Sequence, residues 1–177
     1  HIPIKAPMES TDAYLNRKRF HSIVLQAVCD ANLLFTDVFA GWPGSVHDAR
    51  VFNNSPLKHA VDERKEEFFP KESFILGDSA YPLLPWLITP YRDAGNVMPI
   101  QRNFNFNHSS SRMVIEKAFA LLKGRWRQLQ GVNVTNVENA THITIAACVL
   151  HNMAIMDGDD VADFLEEPIN NMPTTTC

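Results

Sequence analysis

The sequence predicts a mixed α/β domain, a sheet covered by helices, and three observations carry that prediction. The β-branched run Ile23-Val24-Leu25-Gln26-Ala27-Val28-Cys29 reads as a strand, with a turn and a second apolar stretch after it. Phe74-Ile75-Leu76 is a short, wholly apolar run between Pro70 and Gly77, the signature of a strand buried on both faces. Two later stretches repeat apolar residues at helical spacing. Strands first, then a long loop and paired helices, fit a layered α/β architecture.

In chain order, residues 1–19 are polar and turn-rich and end in the basic run Arg17-Lys18-Arg19. The strand at 23–29, the turn Asp30-Ala31-Asn32 and the returning strand Leu33–Ala40 make a β-hairpin. Gly41-Trp42-Pro43-Gly44-Ser45 breaks the second strand, and Ser45 caps a helix from about Val46. The charged stretch Lys58–Glu67 continues or follows that helix. Residues 82–108, with Pro82, Pro85, Pro90 and Pro99, read mainly as loop, with Trp86, Leu87 and Ile88 tucked inward as a short helix or strand. Serines 109–111 cap a helix running to about Leu129 with the stripe Ile115, Phe119 and Leu122. A last helix, about 138–156, carries Ile143, Ala147 and Leu150 at helical spacing, as one apolar face. Residues 156–177 are expected to be a mobile acidic tail.

A chain of 177 residues with 45% apolar and 20% charged composition is sized for one ordinary globular domain. No apolar run approaches the roughly 20 residues of a membrane helix, and no signal peptide is visible ahead of His1-Ile2-Pro3-Ile4-Lys5. The opening, without methionine, reads as cut from a longer chain. Cys29, Cys148 and Cys177 fit neither a disulfide framework nor a zinc spacing, so a reducing compartment is expected. The net charge of −4 is unevenly spread: six acids and no base lie between 157 and 167, and without them the rest stands at +2. Between residues 112 and 127, Arg112, Lys117, Lys123, Arg125 and Arg127 face Glu116 alone. That helix suits a polyanion such as DNA, or is simply a solvated face.

Two carboxylates stand out. Asp78 directly follows the apolar strand, where α/β sheets keep their active sites, and Gly77 leaves room for a ligand or another backbone. The alternative is a turn aspartate capping Ser79-Ala80. Glu116 lies beside the apolar stripe of its helix, in line with Arg112 and Lys123; the alternative is a surface pair with one of them. Together they supply two of the carboxylates a two-metal phosphodiester site employs, and oxygen-only ligands select Mg²⁺ or Mn²⁺. His47 has no partner at zinc spacing and reads as structural or DNA-contacting, while Phe119 and Trp126 read as core.

The segments Gly41–Phe52 (with the dipeptide His47-Asp48), Gly77-Asp78-Ser79-Ala80-Tyr81-Pro82 and Arg112–Trp126 resemble the DDE superfamily transposases of the PIF/Harbinger group and their domesticated nuclease descendants. The three motifs stand in the family's order and the likeness covers about residues 1–155, read as the catalytic core. It implies an RNase H-like mixed sheet flanked by helices, a DNA endonuclease or transposase activity using Mg²⁺ or Mn²⁺, and Asp78 and Glu116 as catalytic metal ligands. The family's first Asp would fall three residues upstream of His1, in a first strand cut short here. Asp30, in a hairpin turn away from Asp78, does not replace it. Asp48 either caps its helix or supports the metal ligands from behind. Arg112, Lys117, Lys123, Arg125 and Arg127 would contact DNA phosphates. A Myb/SANT-like DNA-binding partner and a nuclear location, with a cytoplasmic pool, are further implications. The other reading is a catalytically idle module that binds DNA or a partner.

Overall fold

The computed structural model describes residues 1–158 apart from Glu72 and Ala94. The tail expected to be mobile lies outside the described residues from Asp159 on; Asp157 and Gly158 form a turn. A three-stranded antiparallel sheet is built from β1 (Ile2–Pro3), β2 (Ser22–Cys29) and β3 (Phe35–Pro43) in the order β1-β2-β3. Its hairpin is the expected one, but β3 does not break at Gly41. The β2–β3 register shifts between Val24 and Leu25, which pair with Trp42 and Ala40. Gly41, at φ +108°, is the extra residue of a bulge, so the strand kinks there and continues to Pro43.

α1 (Asp48–Asn53) starts later than Ser45 allows, because the backbone before it is committed elsewhere. Val46 N–H donates to Pro43 O at 3.0 Å and Ser45 N–H to Ala13 O at 3.2 Å, and His47 takes the capping position. α2 (Pro56–Phe68) is a separate helix: buried Ser55 accepts at Oγ from Lys58 N–H (3.2 Å), and Pro56 supplies a first-turn residue whose missing N–H costs nothing.

β4 (Ile75–Leu76) is not the strand buried on both faces that its composition suggested. It pairs in parallel with β5 (Leu87–Ile88) in a separate two-stranded sheet, its residues are half-buried, and Phe74 is 57% exposed. One face packs on the cluster of Phe52, Val61, Trp86 and Leu87; Phe74, Ile75 and Leu76 also border a cavity. Trp86 and Leu87 do turn inward, with Trp86 stacked on Phe69 at 5.1 Å between centroids.

α3 (Pro99–Arg125) begins ten residues before the serines that were expected to cap it. Pro99 at its first turn has φ preset for a helix, and Gln101 Oε1 accepts from Met98 N–H at 2.9 Å. The serines lie mid-helix, where Ser111 Oγ donates back to Asn107 O (2.9 Å). After Arg125 the chain tightens into a 3₁₀ turn, Arg127–Gln130. α4 (Val137–Met156) buries Ala140, Thr144, Ala147, Cys148 and His151, while Leu150, expected on one apolar face with Ala147, is exposed. Small residues at that face let the helix lie close on β3, with Thr141 packed over Gly41. Ile2, Ile4, Ile23, Leu25 and Phe35 of the sheet region meet Ala118 and Leu122 of α3 and Ala140 and Ala147 of α4 in the main core, with Phe119 and Trp126 packed against it. The result is mixed α/β, as expected. Among the described residues no helix is long and apolar enough to cross a membrane.

Candidate active site

The turn after β4 positions Asp78. Gly77 N–H donates to Ile88 O at 2.9 Å, tying the turn to β5. A Cβ on Gly77 would stand 2.9 Å from Leu87 Cδ1 and 3.4 Å from Tyr81, so the space left by this glycine is filled by side chains rather than kept for a ligand. Asp78 Oδ1 accepts from Ala80 N–H at 2.7 Å, as a turn-capping aspartate does. The same residue borders a cavity of about 450 Å³ together with Tyr81, Arg112, Glu116 and Phe119. Capping engages one carboxylate oxygen, so the two readings of Asp78 are compatible.

Glu116 reaches that cavity from α3 and is exposed. No ion pair joins it to Arg112 or Lys123 among the described residues. Asp30 borders the same cavity, closer to Asp78 than its place in the hairpin suggested. Its carboxylate is committed to the turn, with Oδ1 accepting from Asn32 N–H (2.9 Å) and Leu34 N–H (3.0 Å).

A second, larger cavity of about 1050 Å³ lies on the other side of the 78–81 turn, bordered by Ser79, Ala80, His47 and Asp48. The Asp48 carboxyl is pushed above the usual carboxylate range by burial and then by the charge of Asp78. Tyr81 joins the two sides. Its phenol is pushed up strongly by burial and by both Asp48 and Asp78, with Arg112 opposing, and its ring packs edge-on against Phe52 at 5.5 Å. Tyr81 was quoted in the sequence as part of a motif but given no role; only its burial beside two acids singles it out.

The basic residues of α3 and the turn after it are divided. Arg112 borders the smaller cavity, Lys123 and Arg127 the larger, and Lys117 is exposed at neither. The Arg125 guanidinium nitrogens are buried, and its charge acts on His151 of α4. His47 Nδ1 accepts from Arg17 Nη2 at 2.7 Å. Arg17, Lys18 and Arg92 line the larger cavity together with Lys123, a role sequence reasoning did not give them. The run Arg17-Lys18-Arg19 was the only signal.

Asp30, Asp78 and Glu116 on one cavity and five cations on the next give this α/β domain two neighbouring sites of opposite prevailing charge. The chain belongs to the DDE superfamily endonuclease family, whose model matches residues 1–152. It is 38% identical over 164 residues to "Putative nuclease HARBI1" of Bos taurus and 37% identical over 164 residues to that of Homo sapiens, in each case over 91% of this chain and 45% of the relative. It is also 35% identical over 182 residues to "Protein ALP1-like" of Arabidopsis thaliana, covering 96% of this chain and 44% of that protein. The chain thus spans slightly less than half the length of these relatives. No solved structure matches it.

Proposed function

We propose that this domain is the catalytic core of a metal-dependent DNA endonuclease or transposase on an RNase H-like scaffold, with Asp78 and Glu116 as the residues that hold the metal. The observation that carries the reading is that Asp78, from the turn after β4, and Glu116, from α3, both border one cavity in a chain of this family. The donors suit the ion. Mg²⁺ is commonly held by one or two carboxylates and completed by water and substrate phosphate. Mutual repulsion between Asp78 and Asp48 is of the kind a cation relieves. Bound there, divalent metal would activate water or a 3′-hydroxyl and stabilise the leaving oxygen.

The protein's own side chains do the rest. Arg112, beside Glu116, is placed to orient a phosphate by paired N–H donors, which favours one approach geometry. Lys117, Lys123 and Arg127 supply sequence-independent backbone contacts, whereas the guanidinium of Arg125 is buried and its charge acts on His151 of α4. Burial raises the Asp48 carboxyl and the Tyr81 phenol, and the charge of Asp78 adds to both, so these two groups stand near it. The family resemblance adds a third carboxylate upstream of His1, a Myb/SANT-like partner and a nuclear location to the proposal.

A second reading, a domesticated module that binds DNA without cutting it, is favoured by one observation. Among the described residues no group of three His, Cys, Asp or Glu side chains stands close enough together to hold a metal ion. Titration with Mn²⁺ by calorimetry, alongside cleavage of a labelled duplex, separates the two. The enzyme reading expects Asp78→Asn and Glu116→Gln each to weaken Mn²⁺ binding, and each to abolish cutting in a chain extended through the upstream Asp. DNA binding with metal affinity indifferent to both substitutions establishes the idle module instead.

A further inference from the structure

The larger cavity has a composition that the metal site does not explain. Five cationic side chains, Arg17, Lys18, Arg92, Lys123 and Arg127, line it against the single acid Asp48. They come from three separate parts of the chain: the turn before β2, the loop before α3, and the end of α3 with its following 3₁₀ turn. Two residues of the exposed basic run at 17–19, Arg17 and Lys18, thus border this cavity.

Its first wall is built rigidly. Asn16, 7% exposed, accepts at Oδ1 from Lys18 N–H (2.9 Å) and donates from Nδ2 to Ser22 Oγ (2.9 Å). Its backbone closes the same turn, with Asn16 N–H on Phe20 O and Arg19 N–H on Asn16 O. Arg17 is further held by its bond to His47. Lys123 is half-buried and donates from Nζ to His1 O at 3.2 Å, and its ammonium falls below the usual lysine range through burial and the nearby Lys18. Cations gathered at one open space attract an anion into it. Phe20, half-buried at the cavity, offers an aromatic surface next to those charges.

A cationic groove with an aromatic side chain is the chemistry that binds single-stranded nucleic acid. Position adds the functional link, because Ser79 and Ala80, the neighbours of Asp78, form part of the cavity border.

Resting on the nuclease reading above, we propose that this cavity holds a single-stranded DNA segment next to the scissile phosphate. Arg17, Lys18, Arg92 and Lys123 grip its backbone and Phe20 supports a base. Duplex DNA then lies outside, and the cavity takes only an unpaired flank.

Fluorescence anisotropy over a salt series tests this, using a blunt duplex and the same duplex carrying a single-stranded overhang. The overhang should bind more tightly to the 177-residue protein. The triple substitution Arg17→Ala, Lys18→Ala, Arg92→Ala should remove that preference and lower the salt slope for the overhang by about 2, at about 0.7 per lost single-strand contact. Lys58→Ala with Arg64→Ala, cations already paired with Asp62 and Glu67 on α2, should leave the preference intact. Should the triple variant fail to fold, photocrosslinking of a 5-iodouridine overhang to the unaltered protein gives an independent reading, with adducts expected in residues 16–20. An unchanged preference in a folded triple variant, or adducts confined elsewhere, overturns the inference while leaving the nuclease reading standing if Arg112→Ala still weakens both substrates. No binding of either DNA by the unaltered protein overturns both.

Discussion

Adding one methyl group at Gly77 tests how the turn that carries Asp78 is held. The new Cβ would stand 2.9 Å from Leu87 Cδ1, against the 3.5–4.0 Å at which carbon atoms attract. Neither partner yields easily. Leu87 is 3% exposed within the Phe52–Trp86 cluster, and the Gly77 amide is tied to Ile88 O at 2.9 Å. Forcing a methyl into such a site costs about 1–3 kcal/mol, which for a domain of this size lowers Tm by roughly 2–12 °C. The turn would relax in part by swinging outward and carrying Asp78 with it, so Mn²⁺ affinity should fall along with stability. The assay is thermal unfolding by circular dichroism with calorimetric Mn²⁺ titration of Gly77→Ala, Leu87→Val and the double variant. Shortening Leu87 removes the clashing atom, so the double variant should be less destabilised than the sum of the singles, a coupling of about 0.5–3 kcal/mol. Strict additivity, or an unchanged Tm for Gly77→Ala, would refute this account of the turn.

Three further outcomes are expected. His151 is buried and bonded through Nε2 to Leu33 O at 3.0 Å, and burial lowers its pKa. The unfolded chain therefore binds the proton more readily, and stability is lost as pH falls below about 6.5, by at most about 1.4 kcal/mol per pH unit; His151→Gln should flatten urea-unfolding midpoints measured between pH 7 and 5. Asp37 has its carboxyl raised by burial, so it takes up its proton earlier in the folded state than in the unfolded one. Its ionised form weighs against folding as pH rises past that raised value, and Asp37→Asn should leave Tm higher at pH 7 than at pH 4 relative to the unaltered protein. Ser55→Ala removes the α2 cap and should cost about 1 kcal/mol in chemical denaturation without changing Mn²⁺ affinity.

Local signals in the sequence were strong where one residue type decides one backbone event. The hairpin at 22–43 and α4 were legible because β-branched content and helical period are properties of the segment itself. The start of α3 was missed because Pro99 was read as a loop former, when in a first turn proline favours the helix. Leu150 was read onto one apolar face with Ala147 because helical spacing aligns them. Helix α4 instead buries the small residues Ala140, Thr144 and Ala147, and its Thr141 lies over Gly41 of β3. At the candidate site, Asp78 and Glu116 stood out by type and position, while Tyr81, Lys18 and Arg92 did not. Their placement depends on which loops the tertiary structure folds together, and no periodicity records that.

The division of α3 between two cavities has a simple geometric source. Arg112 and Glu116 are four residues apart and share one face, whereas Lys123 comes seven residues after Glu116, about 10 Å further along the axis. Separation on that scale keeps the acid from being neutralised by the later cation, and no ion pair between them forms among the described residues. The helix therefore presents Arg112 and Glu116 to the smaller cavity with Asp78, and Lys123 to the larger one with Lys18. The turn at 78–81 borders both. A strand lying in the cationic cavity would then continue directly past the carboxylates. On the proposed reading the two ends of the helix act separately, so Lys123→Ala should reduce the overhang preference while leaving Mn²⁺ binding unchanged, whereas Glu116→Gln should weaken Mn²⁺ binding and keep the overhang preference. Loss of both functions in either variant would refute that separation.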